Sequence, residues 1–262
     1  MDRLSTSLLA LFTGLGASST ETVAAPRWQR HFDAQGVKGT FVLLEPLKDR
    51  YRMLDPARAE RRCLPGATFE VANALVGLEV GAIADENEVF RWDGKPKTVP
   101  AWERDHTLES GLRENVAWMS QEIARRTGKA RMREWLDRLE YGNRDLSGGI
   151  DHFWLQGGLR ISAREQVDFL HRLAEGRLAM TQRAQRLVRR ALAVEKTRGY
   201  TLYAKSATVA SGRDAVAWWM GWVERQGRPQ AYFALSFRPT AKTAAGDRFL
   251  IGRGVLREAG VL

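Results

Sequence analysis

The chain has almost none of the residues that staple or metallate small folds. It carries one cysteine, Cys63, and four histidines, His31, His106, His152 and His171. A single cysteine excludes an internal disulfide. The scattered histidines match no zinc-ligand spacing, so neither a metal nor a cofactor is expected. Proline is sparse, at 8 in 262 residues, and no Pro-, Gly- or Ser-rich linker or internal repeat divides the chain. No apolar run is long enough for a membrane helix. Acidic residues are also short, with Asp+Glu 31 against Lys+Arg 41, a net charge of +10. A basic surface attracts polyanions, yet no nucleic-acid motif accompanies it. The excess over Thr181–Arg198 reads as the solvated face of a helix, and no specific nucleic-acid partner is expected.

What remains is ordinary globular composition: 44% apolar, 27% charged, and nine tryptophans. Leu8–Ala17 is apolar, follows Arg3 and precedes small residues, as in the h-region of a secretory signal. Residues 1–25 are therefore expected to be a signal peptide, with cleavage after Ser18 or near Ala24–Ala25, which makes the protein periplasmic or secreted. Residues 26–262 form one domain.

Within that domain Thr40–Leu44 is a buried-type strand, and Arg50–Asp55 alternates to pair with it as a hairpin. Phe69–Val80 has helical spacing at Val71, Leu75 and Leu78, with Thr68 placed to cap it. Trp92–Trp102 is a loop. Leu112–Arg126, Met132–Leu139, Arg164–Ala174 and Gln182–Ala193 are helical. Thr201–Lys205, Ala215–Glu224 and Gln230–Phe237 are strands, and Arg248–Ala259 closes as a helix. Strands at both ends around many helices, without βαβ repetition, predict an α+β fold: an antiparallel sheet flanked by helices, with a helical insertion.

Several segments in order resemble class D (OXA-type) serine β-lactamases. Leu64–Glu79 resembles the stretch that carries the family's nucleophile. Phe90–Lys95 and Trp102–Asp105 resemble the segment after it. Tyr141-Gly142-Asn143 matches the YGN motif. Ser147–Asp151, Phe153–Leu155 and Leu159–Ser162 match the loop over the active site, and Ala217–Glu224 matches a core strand. The resemblance implies the fold of the penicillin-recognising serine enzymes, with a site between sheet and helices. The implied ligand is a β-lactam or a peptidoglycan-like small molecule.

The residues at the implied catalytic positions do not fit the family's acyl transfer. In Ser-x-x-Lys, one helical turn puts hydroxyl and amine on one face, so the amine takes the hydroxyl proton. Here those positions hold Ala67 and Glu70. Ser-x-Val becomes Asn115-Val116-Ala117, and an amide cannot relay a proton as a hydroxyl does. Lys-Thr-Gly becomes Lys205-Ser206-Ala207, where the Ala207 methyl obstructs ligand approach to the strand. By resemblance Lys205 and Arg248 anchor a substrate carboxylate, Trp154 covers the position of the family's lysine, and the N–H groups of Ala67 and Ala207 form an oxyanion hole. Trp154 and Tyr141 equally suit packing.

Two readings follow. One is an inactive homologue that binds a ligand; the other is a weak hydrolase. The second needs a substitute: water activated by Glu70, or a nucleophile among Thr68, Ser206 and Cys63. Thr68 is turned about 100° from position 67, and Lys205 and Ser206 point to opposite faces of their strand. A third possibility is a module recruited for its surface alone. Loss of the lysine also leaves room for Glu70 to reach Lys205, which predicts an ion pair closing the cleft.

Overall fold

The computed structural model describes residues 20–209, 212 and 214–262. The apolar run Leu8–Ala17 lies outside the described residues. The strands are β1 (Glu21–Ala24), β2 (Gly39–Glu45), β3 (Arg50–Leu54), β4 (Ala193–Lys196), β5 (Thr201–Val209), β6 (Val216–Arg225) and β7 (Arg228–Phe237). The helices are α1 (Gln29–Asp33), α2 (Pro56–Glu60), α3 (Glu70–Glu79), α4 (Leu108–Glu114), α5 (Ala117–Thr127), α6 (Lys129–Arg138), α7 (Ala163–Ala174), α8 (Gln182–Ala191) and α9 (Asp247–Glu258).

The strands form one seven-stranded sheet in the order β1-β3-β2-β7-β6-β5-β4. Both ends of the chain build it, as the sequence predicts: β2 pairs antiparallel with β3 and with β7. The edge strand β1 is the exception, since it runs parallel to β3. It spans Glu21–Ala24, so the sheet begins before residue 26.

Period-two alternation gives the sheet two apolar faces. On β6, Trp218 and Trp222 face the core shared with Phe69, Leu75 and Phe169. Their neighbours Trp219 and Val223 face the opposite core, against Trp28, Phe32, Ile251 and Val255 of the terminal helices. Trp28, Trp154, Trp218 and Trp222 are fully buried, so tryptophan here serves mainly the core.

Two local expectations are corrected. Leu112–Arg126 is not one helix. Asn115 adopts a left-handed conformation (φ 54°) that ends α4, and α5 starts afresh at Ala117. Asparagine tolerates that conformation better than other non-glycine residues, and the apolar spacing of Val116, Met119 and Ile123 belongs to the second helix only. Thr68 is not an N-cap. It lies within a 3₁₀ turn, Gly66–Phe69, that leads into α3; its hydroxyl donates to the Pro65 carbonyl at 2.8 Å and accepts from Gln166 Nε2 at 2.8 Å. Among the described residues no helix is long and apolar enough to cross a membrane.

Candidate functional site

The turn ahead of α3 is pinned from three sides. Gly66 donates to the Trp154 carbonyl at 3.0 Å, Cys63 bridges to Ile161, and Trp218 Nε1 donates to the Leu64 carbonyl at 2.8 Å. Gly66 has φ +53°, and a Cβ there would lie 3.3–3.4 Å from the side chains of Val209 and Ala207. Glycine thus lets the turn sit directly on β5, and the buried Ala207 methyl fills the space beneath it.

This packing places Glu70, in the first turn of α3, opposite Lys205 on β5. Lys205 Nζ donates to Glu70 Oε2 at 2.7 Å, with the two residues 4% and 2% exposed. The ammonium also donates to the Leu112 carbonyl. That carbonyl is free because Asn115 ends α4 two residues after Arg113, leaving last-turn acceptors without intrahelical donors. The negative end of the α4 dipole therefore also faces the lysine. The predicted ion pair is present, and the helix break missed in the sequence supplies its second acceptor. Burial pushes the Glu70 carboxyl up, against the opposing pull of Lys205 and Ser120. Burial likewise pushes Lys205 down, against the pull of Glu70.

A cavity of about 560 Å³ opens beside the pair, lined among others by Ala67, Glu70, Trp102, Asn115, Ser206 and Arg248. Ala207 also lines it, so site positions predicted on four separate segments meet in one cleft, although Lys205 itself does not line it. Trp154 does not line it. Its ring is fully buried, tilted 5.1 Å from Phe69 and edge-on to Phe153 at 4.9 Å, and its Nε1 has no partner. Tyr141 packs edge-on between Phe69 and Phe169. Both aromatics hold the turn that carries Ala67.

Arg248 reaches the cleft but is heavily engaged. Its Nη1 donates to the Ala207 carbonyl at 2.6 Å and the Trp218 carbonyl at 3.4 Å, and Nη2 donates to Thr208 Oγ1. Asn115 Oδ1 is buried without a donor.

The edge of β5 beside the cleft is open. β4 pairs only with Thr201–Tyr203, so Lys205–Val209 have a strand neighbour on the β6 side alone. The Ala204 N–H points outward, to the Leu192 carbonyl. Donors alternate along an antiparallel strand, and the β5–β6 register is unshifted. The outward N–H groups are therefore those of Ser206 and Thr208, while that of Ala207 turns toward Trp218. Thr208, rather than Ala207, is the second N–H facing the cleft edge. The sequence held no signal for this, because ladder phase depends on where β4 stops.

The candidate substitute nucleophiles separate. Ser206 lines the cleft, but it lies on the strand face opposite to the Lys205 amine. Thr68 is buried and spent in the turn. Cys63 lies in a different cavity, with Arg58 and Arg62, and burial pushes its thiol up rather than down. No group of three metal-ligating side chains forms among the described residues.

Residues 20–248 match the penicillin binding protein transpeptidase domain. The chain is 41% identical over 224 residues to β-lactamase OXA-10 of Pseudomonas aeruginosa, covering 84% of this chain and 82% of that one. It is 34% identical over 255 residues to β-lactamase OXA-48 of Klebsiella pneumoniae, covering 97% and 96%. It is also 43% identical over 188 residues to a probable β-lactamase, YbxI, of Bacillus subtilis (strain 168), covering 72% and 70%. The crystal structure of the class D β-lactamase YbXI from Nostoc superposes with a TM-score of 0.86 at 30% identity, over 90% of this chain and 99% of that one. With sheet, cleft and ordered motifs all in agreement, the chain belongs to the class D β-lactamase family, built on the penicillin-binding transpeptidase fold.

Proposed function

We propose that this family member does not acylate on β-lactams and instead binds an anionic ligand reversibly in its cleft: a β-lactam or a peptidoglycan fragment. One observation carries the reading. The carboxylate of Glu70 and the ammonium of Lys205 neutralise each other in a buried pair, while the side chain at position 67 is a methyl group. Acyl transfer needs a nucleophilic atom and a base that can take its proton. Loss of the nucleophile in a serine enzyme costs on the order of 10⁶ in turnover. Glu70 as a base for water would first have to leave Lys205. What remains suits binding: an open strand edge, the Ala67 and Thr208 N–H groups, and the Arg248 guanidinium.

Residues 1–25 would serve export, which places the cleft where cell-wall ligands occur. Cleavage after Ser18 fits better than cleavage near Ala24–Ala25, because the later cut would remove β1 from the sheet.

The test is intact-protein mass spectrometry with a chromogenic cephalosporin, on the wild type and on Ala67→Ser/Glu70→Lys. The wild type is expected to give neither adduct nor turnover, and the double variant a covalent adduct. An adduct or turnover in the wild type would overturn the reading; loss of that turnover in Glu70→Gln would assign it to Glu70-activated water.

A further inference from the structure

A second cavity, of about 370 Å³, lies on the α9 side of β5. Its origin is local. β4 bulges at Val194 and stops pairing at Tyr203, so no strand pairs with that edge of β5 beyond it. The residues lining the slot on that face are small, Ala204 and Ser206, whereas Trp219 and Phe249 stand tall beside them. Short side chains between bulky ones make a slot.

The slot has the chemistry of a ligand site: apolar walls with a few polar groups. Trp219, nearly buried, and the more exposed Phe249 meet edge-on at 5.5 Å and 90°, so that the indole floors the slot and the Phe249 ring walls it. Phe249 is 38% exposed, although aromatic side chains are normally covered. Arg113, Arg253 and Lys205 line it, and no carboxylate among the described residues does. Arg253 is held by Glu195. Among the described residues Arg113 pairs with Glu109 alone, and both side chains are more than half exposed (56% and 57%), so that pair yields readily to a competing anion.

We propose that this slot is a second ligand site, for a compact aromatic anion: one or two fused rings bearing a carboxylate or sulfonate. The rings lie against Phe249 and Trp219 over Ala204, and the anionic group meets Arg113. The assignment is independent of the chemistry proposed for the neighbouring cleft. The slot shares Asn115, Ser206 and Phe249 with that cleft and also touches Lys205, but neither Ala67 nor Glu70 lines it.

The test is a fluorescence titration of the full chain with 1-anilinonaphthalene-8-sulfonate, displaced by 2-naphthoate or by neutral 2-naphthalenemethanol. One saturable site is expected. Ala204→Phe fills the slot without changing the charge and should weaken the probe at least about tenfold. Phe249→Ala, at a half-exposed position, should weaken both displacing ligands. Arg113→Gln should weaken 2-naphthoate about threefold and leave the alcohol unchanged. Several equivalent sites, or wild-type binding in Ala204→Phe, would mean that the probe collects on the basic surface, and would overturn the assignment. Should Ala204→Phe fail to fold, unchanged binding in Phe249→Ala would overturn it equally.

Discussion

Replacing Lys205 by methionine removes one member of a fully buried ion pair and leaves Glu70 beneath the sheet without its cation. Breaking such a pair from one side costs about 3–5 kcal/mol, because an uncompensated charge stays in a low-dielectric site. For a domain of this size each kcal/mol moves the midpoint by about 2–4 °C, so Lys205→Met should lower Tm by about 6–20 °C. Glu70→Gln should cost less. Its amide oxygen still accepts from Lys205, and the Leu112 carbonyl at the end of α4 continues to hold the ammonium. Replacing both members, in Glu70→Leu/Lys205→Met, should return stability to within about 2 kcal/mol of wild type or exceed it, since well-packed apolar side chains often match a buried pair. Urea denaturation of the wild type, Lys205→Met, Glu70→Leu and the double variant closes the double-mutant cycle. In Lys205→Met the pH dependence has a definite sign. Burial raises the affinity of the lone carboxyl for its proton above that in the unfolded chain. The variant should therefore gain stability as pH falls from 8 toward 5, and lose it as pH rises through the folded-state value. A Lys205→Met cost below about 1 kcal/mol, with no coupling across the cycle, would refute the reasoning: the pair would then behave as a solvated surface contact.

Burial first, and then nearby Arg104, hold His106 below the usual imidazole range. A depressed value means that the native state binds fewer protons, so this contribution is present above pH 6.5 and is lost as pH falls through the folded-state value. The wild type should lose urea resistance between pH 7.5 and 5.5, and His106→Gln should lose less over the same interval; equal losses would remove His106 as the cause. Asn115 holds a left-handed conformation at the end of α4. Asn115→Ala should cost about 1–2 kcal/mol, whereas Asn115→Gly should be close to neutral; the denaturation midpoints of the two variants separate the outcomes.

The sequence by itself determined the fold class, the family and most elements of the sheet. The continuous apolar run of β2, the alternation in β3, the Trp-rich β6 and the ordered motifs are local patterns, and each survives in the structure because core burial enforces it. The sequence also named the positions that meet in the cleft: Ala67, Glu70, Asn115, Ser206, Ala207 and Arg248. The Glu70–Lys205 pair was legible as well, since a carboxylate and a cation were left facing one another at positions fixed by the fold. Tertiary structure alone decided four other matters. The left-handed Asn115 split an apparently continuous helix and freed the Leu112 carbonyl for Lys205. The parallel β1 joined the sheet through pairing with β3, a contact without local periodicity of its own. The point where β4 stops set which N–H groups of β5 face outward, and it opened the slot over Ala204. Trp154 turned into the core, against Phe69 and Phe153, and away from the cleft. Each depends on contacts between residues far apart in the chain, and neither residue type nor spacing encodes where such contacts begin or end.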